Sequence, residues 1–340
     1  MPHPFDAVRW RLYKAEIRDE DGRPVFSQDG VEAPESWSAS AVNVVASRYF
    51  SGSGAGRESS VKQLYLRVGG TLARWVREAG LAGDGYEEEL LALLVRQQGA
   101  FNSPVWFNVG IDPRPQCSAC YILSVEDHME SILELARVEA LIFKRGSGAG
   151  SNLSRLRSSR EALSSGGTAS GPVSFMRGYD AFAGVIRSGG RARRAAKMQI
   201  LDADHPDILE FIDAKSIEEK KARALIEAGF APGQDGGAYG SVAFQNSNMS
   251  VRVSDTFLRA VEADGPWTTR LVKSGEECET FPARRLLRKA AEGAWRCGDP
   301  GLQFDTTIQA WNPCPLSGRI NASNPCSEYL FLDDTACNLA

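Results

Sequence analysis

The sequence predicts an α/β protein in which a mainly parallel sheet follows a mainly helical N-terminal region. Two observations support this class. Residues 60–80 and 86–101 carry apolar side chains at helical spacing. From residue 117 onwards, short apolar segments typical of strands alternate with amphipathic segments typical of helices. Such alternation favours βα units that share a parallel sheet.

The predicted boundary between the two regions divides residues 1–100 from residues 101–340. Within the first region, residues 1–58 show no clear pattern apart from a weak strand at 8–17. The glycine- and serine-rich stretch 50–60 is expected to form a flexible loop.

The second region is expected to alternate between strands and helices. We predict strands at 118–124, 196–201 and 248–253 and helices at 126–143, 171–186, 206–228, 255–263 and 283–296. Pro206 is expected in the first turn of its helix. The glycine-rich stretch 146–150 is expected to be a loop, either one that lets a ligand approach the backbone or a plain flexible turn.

The composition is that of a soluble globular protein, with 43% apolar residues, 24% charged residues and a net charge of −4. This acidic balance argues against a general nucleic-acid binder. The sequence contains no run of about eighteen apolar residues that would span a membrane, and its start lacks the apolar segment of a secretory signal. We therefore expect a cytoplasmic protein that binds neither membranes nor nucleic acid.

Seven cysteines are present, and in the cytoplasm they are expected to be thiols. Cys117 and Cys120 form a C-x-x-C pair that fits half a zinc site, a redox motif or two small buried apolar residues. Zinc needs further ligands, and the sequence has no second such pair and three histidines. A redox motif generally opens a helix, whereas Cys120 leads into a predicted strand. The sequence of this pair is compatible with all three interpretations.

A basic segment beside a double glycine contains Arg187, Arg191, Arg193 and Arg194. One interpretation is a solvated basic face. The other is a loop whose guanidinium groups bind the phosphates of a nucleotide or stack on its base.

The last twenty residues place a thiol, Cys326, between an amide, Asn324, and a carboxylate, Glu328. This combination suits radical chemistry on a polyhydroxylated substrate. The carboxylate can remove a proton from one hydroxyl group, the amide can orient another, and the thiol can exchange a hydrogen atom. A proline in this stretch predicts a tight turn that leads into a strand. Beyond that strand, Cys337 can face Cys120 across the site.

From about residue 36, the sequence closely resembles the catalytic chain of the adenosylcobalamin-dependent (class II) ribonucleotide reductases. The motifs that carry the resemblance are ESWSASAVNVVASRYF, AFNSPVWFNVG, CSACYILSVEDHMESI, FKRGSGAGSNLSRLRSSRE, SGPVSFMRGYDAFAGVIRSGG, RRAAKMQILDADHPDILEFI, FQNSNMSVRV, DPGLQFD and NASNPCSEYLFLDDTACNLA. The resemblance is specific because so many long motifs occur in the same order.

The resemblance implies a role for each of five residues. Cys326 matches the cysteine that becomes a thiyl radical and abstracts the ribose 3′-hydrogen. Glu328 matches the base that deprotonates the 3′-hydroxyl group, and Asn324 matches the amide that hydrogen-bonds the substrate hydroxyls. Cys120 and Cys337 match the pair that reduces the substrate and becomes a disulfide. Because a disulfide requires Cα atoms within about 7 Å, we expect these two cysteines on neighbouring strands.

The resemblance also implies residues that bind the substrate and an allosteric effector. The substrate contacts are Ser103, Ala119, Cys120, Gly148, Asn324, Pro325, Cys326, Ser327 and Glu328. The effector contacts, for a bound dNTP that tunes substrate choice, are Arg187, Arg191, Arg193 and Arg194.

The implied fold is the N-terminal part of a ten-stranded α/β barrel, in which two five-stranded parallel half-sheets run antiparallel to each other. The cysteine of the radical step lies on a finger loop inside. The implied cofactor is adenosylcobalamin, and the implied substrate is a ribonucleoside diphosphate rather than a triphosphate. The implied partners are a second copy of the chain and a thioredoxin-type reductant. The product would serve DNA synthesis and repair.

Chains of this family continue for several hundred residues beyond the position of Ala340. The second half-barrel, most of the cobalamin site and the tail cysteines are therefore expected in a missing C-terminal half, and this chain is expected to be inactive alone. Either a sequence boundary or a split gene joined by an intein would explain the end. The alternative functions are a non-catalytic regulatory chain, against which the five intact residues argue, and a zinc or redox module at Cys117 and Cys120.

Overall fold

The computed structural model describes residues 3–19, 21–81, 83–164, 166–186, 196–233 and 236–339. The chain forms two compact units. The first combines Met1–Ala119 with Asn338–Ala340, and the second is Cys120–Cys337. The first unit extends past the boundary that the sequence predicts, because Val105, Trp106 and Val109 are part of its core.

The first unit contains a hairpin as well as helices. Its elements are β1 (Trp10–Arg18), β2 (Pro24–Pro34), α1 (Ala39–Arg48), α2 (Val61–Glu78), α3 (Tyr86–Val95) and α4 (Ser103–Asn108). The two helices predicted by periodicity are present as α2 and α3. The weak strand predicted at 8–17 is present as β1, whereas its antiparallel partner β2 and helix α1 were not predicted. The signal of β1 is weak because its residues are exposed or half-buried apart from Ala15. Helix α2 begins with a capping box formed by Ser60 and Gln63.

The second unit alternates between strands and helices, as predicted. Its elements are β3 (Cys120–Ile122), α5 (Met129–Lys144), β4 (Gly148–Asn152), α6 (Gly171–Val185), β5 (Lys197–Asp202), α7 (Ile208–Glu227), β6 (Ser247–Val253), α8 (Asp255–Glu262), β7 (Pro266–Arg270), β8 (Glu277–Pro282), α9 (Ala283–Cys297), β9 (Gly301–Phe304), α10 (Asp305–Ala310), β10 (Ala322–Ser323), β11 (Leu330–Phe331) and β12 (Thr335–Cys337). Two local predictions were wrong. The stretch predicted as a glycine-rich loop contains strand β4, and Pro206 lies before α7 rather than in its first turn.

A six-stranded sheet organises this unit, in the order β12–β3–β4–β5–β6–β9. The five strands from β3 to β9 are mutually parallel, and β12 runs antiparallel to β3. The prediction of a mainly parallel sheet is therefore confirmed. Two separate antiparallel hairpins, β7–β8 and β10–β11, accompany the sheet.

The two faces of the sheet pack differently. On one face, Leu201 and Val251 join a large apolar core with residues of the helices, such as Phe211. On the other face, Met198 and Ile200 form a smaller apolar cluster with the β10–β11 hairpin. Side chains alternate between faces along a strand, so each strand serves both the helices and the hairpin. No helix of the described residues is long and apolar enough to cross a membrane.

Candidate active site

The predicted tight turn is present at the tip of the β10–β11 hairpin, in residues 324–329. The backbone N–H of Asn324 donates to the carbonyl of Tyr329 at 3.0 Å, and the N–H of Tyr329 donates to Oδ1 of Asn324 at 3.1 Å. Within the tip, the N–H of Ser327 donates to the carbonyl of Asn324 at 3.1 Å. Pro325 occupies the second position of this turn, which its fixed φ favours. The tip is therefore a closed, hydrogen-bonded loop.

The two glycines of β4 allow the hairpin to lie close to the sheet. A Cβ atom at Gly150 would lie 1.8 Å from the carbonyl oxygen of Ser323, and one at Gly148 would lie 2.7 Å from Cγ of Pro325. From β6, Nδ2 of Asn248 donates to the carbonyl of Pro325 at 2.7 Å. The segment that approaches these two glycines is therefore the β10–β11 hairpin. The substrate contact expected at Gly148 remains a prediction.

Cys120 and Cys337 are directly opposed residues of the antiparallel pair β3–β12. Opposed residues of such a pair have Cα atoms about 4.5–5.5 Å apart, which is within the range that a disulfide can bridge. Both side chains are buried and both thiols are free. The prediction that they lie on neighbouring strands is confirmed. Their role as reductants remains a prediction.

The electrostatic environment of the two thiols links them to the hairpin tip. Burial raises the pKa of the Cys120 thiol, the amide of Asn324 opposes this shift, and the charges of Glu328, Cys326 and Cys337 add to it. Burial and the Glu328 carboxylate also raise the pKa of the Cys337 thiol. The structure therefore brings together all five residues that the sequence analysis assigned to catalysis.

Asn324 is fully buried, and its side chain has one atom left for a ligand. Its Oδ1 accepts from Tyr329, whereas its Nδ2 has no acceptor among the described residues. A buried donor without a partner is uncommon in proteins. It is suited to a ligand oxygen, such as that of a hydroxyl group.

Cys326 and Glu328 are both exposed at the tip of the hairpin. Between them, Ser327 adopts a left-handed conformation with φ of +64°. The hairpin tip thus exposes one thiol and one carboxylate on either side of Ser327. The arrangement offers one exposed thiol, one exposed carboxylate, one buried amide N–H group and one pair of opposed thiols that could form a disulfide.

The remaining predicted residues belong to the first unit or lie outside the described residues. Ser103 is the first residue of α4, and its Oγ lies 3.1 Å from the hydroxyl oxygen of Tyr49. Ala119 is buried at the end of the first unit. Their expected substrate contacts remain predictions. Cys117 packs against the apolar core of the first unit. The predicted effector residues lie outside the described residues: Arg187, Arg191, Arg193 and Arg194.

Several residues that hold the hairpin were not singled out from the sequence. Asn248 and Arg252 of β6 face the hairpin, as does Gln303 of β9, and each donates a hydrogen bond to it. A signal was present in the sequence of β6, where polar residues alternate with Met249 and Val251. Such a period of two in a strand whose apolar face is buried predicts a polar partner on the opposite face.

Two family models match the chain. The model described as "Ribonucleotide reductase, barrel domain" matches residues 118–340, which include the whole candidate site. The model described as "Class II vitamin B12-dependent ribonucleotide reductase" matches residues 11–97.

The chain is also similar to curated proteins. It is 50% identical to the vitamin B12-dependent ribonucleotide reductase of Rhodopirellula baltica and 54% identical to that of Streptomyces coelicolor; each comparison covers 99% of the chain and 36% of the relative. It is 35% identical to the vitamin B12-dependent ribonucleoside-diphosphate reductase of Mycobacterium tuberculosis, over 91% of the chain and 42% of the relative. The chain thus spans a little over one third of the length of the first two relatives.

Among solved structures, the chain resembles the Actinobacillus ureae class Id ribonucleotide reductase alpha subunit. The TM-score is 0.59 at 18% sequence identity, and the comparison covers 79% of the chain and 42% of that subunit. At this identity the likeness concerns the fold. It agrees with the predicted part of the reductase barrel.

Proposed function

The chain belongs to the class II vitamin B12-dependent ribonucleotide reductases, and we propose that it supplies the thiol-bearing part of an oxidoreductase that converts ribonucleoside diphosphates to 2′-deoxyribonucleotides. The observation that carries the proposal is the direct opposition of Cys120 and Cys337 beside the tip that holds Cys326. A reductase of this kind needs a dithiol in disulfide geometry next to a separate reactive thiol.

In the proposed reaction, the residues of this chain have separate tasks. The Cys326 sulfur, as a thiyl radical, takes the 3′-hydrogen atom of the ribose. Glu328 accepts the proton of the 3′-hydroxyl group, and the free Nδ2 of Asn324 donates a hydrogen bond to a substrate hydroxyl. Loss of water at C2′ follows. The two thiols then deliver two electrons and two protons to the sugar and become a disulfide. Cys326 finally returns the hydrogen atom to C3′ and is a thiyl radical again.

Membership of this family implies adenosylcobalamin as the cofactor. When bound, it supplies a carbon-centred radical by homolysis of its carbon–cobalt bond. Cys326 fits a role as the thiol oxidised by such a radical, because its side chain is exposed at the hairpin tip. We assign to this chain the thiol that is oxidised, and we propose that the residues holding most of the corrinoid lie in a C-terminal half of the reductase.

We further propose the partners that the family suggests. The diphosphate level of the substrate is supported by the name of the Mycobacterium tuberculosis relative, a ribonucleoside-diphosphate reductase. A homodimer, a dNTP effector bound by the arginine-rich segment and a thioredoxin-type reductant complete the proposal.

The test is to combine this chain with a C-terminal half of the reductase and to measure formation of deoxynucleotides with and without adenosylcobalamin. Activity is expected with the cofactor, and Cys326→Ser is expected to abolish it. Cys314→Ser makes the same chemical change outside the hairpin tip and is expected to leave activity intact. Activity that survives Cys326→Ser, or that needs no cobalamin, would contradict the proposal. Binding of dNTP without turnover would favour a regulatory chain instead.

A further inference from the structure

The conformation of Ser327 determines how the hairpin tip presents its reactive groups. Ser327 lies between Cys326 and Glu328, and its φ of +64° is uncommon for a residue other than glycine. The directions of the two flanking side chains depend on this backbone angle. A residue in such a sparsely populated conformation keeps it when its surroundings hold it in place.

The side-chain amide of Gln303 contacts this residue from strand β9. Its Nε2 donates to Oγ of Ser327 at 3.2 Å and to Oγ of Ser323 at 2.8 Å. The two serine oxygens are themselves 3.2 Å apart. One buried amide nitrogen therefore joins the tip of the hairpin to its last β10 residue.

Arg252 fixes the orientation of the Gln303 amide. The two residues are register partners on the parallel strands β6 and β9, and Nη1 of Arg252 donates to Oε1 of Gln303 at 3.3 Å. A guanidinium group only donates hydrogen bonds, so the amide oxygen must face the arginine and the amide nitrogen must face the hairpin. Asp305 in turn accepts from Nε of Arg252 at 2.9 Å.

The same arginine holds the base of the hairpin. Its guanidinium donates to the carbonyl of Asn321 at 2.9 Å and to that of Ile320. Arg252 is 4% exposed and Gln303 is 5% exposed, so water does not compete for these bonds. The base and the tip of the hairpin are thus tied to one buried network.

From these contacts we propose that Gln303, oriented by Arg252, is the positioning residue that holds Ser327 in its left-handed conformation and so aligns Cys326 and Glu328 for reaction. In this proposal Gln303 acts through Ser327, to which it donates a hydrogen bond. The inference rests on the proposed function for its catalytic consequence. The effect of Gln303 on the conformation of Ser327 can be measured without turnover.

The first test compares Gln303→Met with Gln309→Met. Both variants replace a glutamine that bonds the hairpin. Gln309 bonds Ile320 at the base of the hairpin and also donates to Asp305, but among the described residues it makes no hydrogen bond to the tip. In hydrogen exchange, Q303M is expected to speed exchange of the Ser327 amide about tenfold, the effect of losing roughly one hydrogen bond. Q309M is expected to leave that amide unchanged. Equal protection of the Ser327 amide in Q303M and the unsubstituted chain would overturn the proposal.

The second test uses turnover in the reconstituted reductase. Misalignment of the reacting groups is expected to lower kcat of Q303M about 10- to 100-fold, with KM for the nucleotide little changed. Ser327→Ala is expected to lower kcat similarly, and the double variant Q303M/S327A is expected to be no worse than the more impaired single variant. Additive losses would show that Gln303 does not act through Ser327.

The two readouts separate the inference from the proposed function. If hydrogen exchange at Ser327 is faster in Q303M but the unsubstituted chain shows no reductase activity, Gln303 still holds the conformation of Ser327, and its catalytic consequence is wrong. If the reductase is active but Q303M equals the unsubstituted chain both in kcat and in hydrogen exchange at Ser327, the proposed function stands and the positioning role of Gln303 is wrong.

Discussion

Cys120 at the start of β3 and Cys337 at the end of β12 are directly opposed across an antiparallel strand pair. The two cysteines lie near opposite ends of the second unit in sequence, and the sheet brings them together at one edge. The strands hold both Cα atoms at a distance that a disulfide can bridge without movement of the backbone. The dithiol is therefore preorganised for oxidation.

Mild oxidation of this chain is expected to join Cys120 to Cys337. Peptide mapping by mass spectrometry without reduction measures the linkage. Cys117→Ser is the matched control, because Cys117 is the neighbouring cysteine in sequence but packs against the core of the first unit. The control is expected to form the same linkage as the unsubstituted chain. A disulfide from Cys117 to either partner would contradict the assignment.

The two buried thiols are expected to make stability fall at alkaline pH. Burial raises both pKa values above the ordinary value of 9.0, so the folded state favours the protonated thiols. Their contribution is fully present below 9.0 and is lost as pH rises through the folded-state values. Denaturant unfolding under reducing conditions measures the loss between about pH 8 and about pH 10.

The control for this pH dependence is the double variant C120S/C337S, which has no thiols to titrate at these positions. Its free energy of unfolding is expected to fall less steeply over the same pH range. An identical slope for the double variant and the unsubstituted chain would show that other groups cause the dependence.

Gly150→Ala is expected to displace the hairpin from the sheet. The added Cβ would lie 1.8 Å from the carbonyl oxygen of Ser323, which is backbone and cannot rotate away. Overpacking of this kind costs about 1–3 kcal/mol or more of unfolding free energy. Denaturant unfolding measures this cost, and the linkage between Cys120 and Cys337 serves as a check that the β3–β12 pair persists.

The matched control is Gly178→Ala in the middle of α6, where a Cβ would meet nothing within 4 Å. This substitution is expected to stabilise the chain by about 0.5–1 kcal/mol, because alanine loses less entropy in a helix. Equal effects of the two substitutions would contradict the close approach of the hairpin to β4.

Lys197→Met is expected to destabilise the chain strongly. Lys197 of β5 forms an ion pair with Glu139 of α5, and their side chains are 1% and 2% exposed. Removing the lysine would leave a buried carboxylate without its partner, at a cost of about 3–5 kcal/mol. Replacing both residues, as in K197M/E139L, is expected to recover most of this loss. Denaturant unfolding of the three proteins measures the differences.

The control for the buried pair is the exposed pair of Arg137 and Glu134 on the same helix. Arg137→Met is expected to change the free energy of unfolding little, because the charges of Arg137 and Glu134 are both solvated. A similar loss in R137M and K197M would show that burial does not set the strength of the Lys197 pair.

Local patterns in the sequence predicted the elements that bury one continuous face. Helices α2 and α7 and strand β6 were predicted because their apolar residues recur with a period of 3.6 or 2. Strand β1 was predicted only weakly and its partner β2 was not predicted, since the residues of both strands are mostly exposed or half-buried. The stretch that contains β4 was predicted as a loop because its glycines are typical of loops. They serve instead to let another segment approach.

The sequence by itself determined the chemistry of this protein: which thiols, amide and carboxylate are present, and the family to which their motifs point. Only the tertiary structure decided how they meet. It set Cys120 opposite Cys337 through strand register, left Nδ2 of Asn324 without an acceptor in the described part of the chain, and placed Gln303 against Ser327. The physical reason is that residue type and spacing are local, whereas register, burial and hydrogen-bond partners depend on segments distant in sequence.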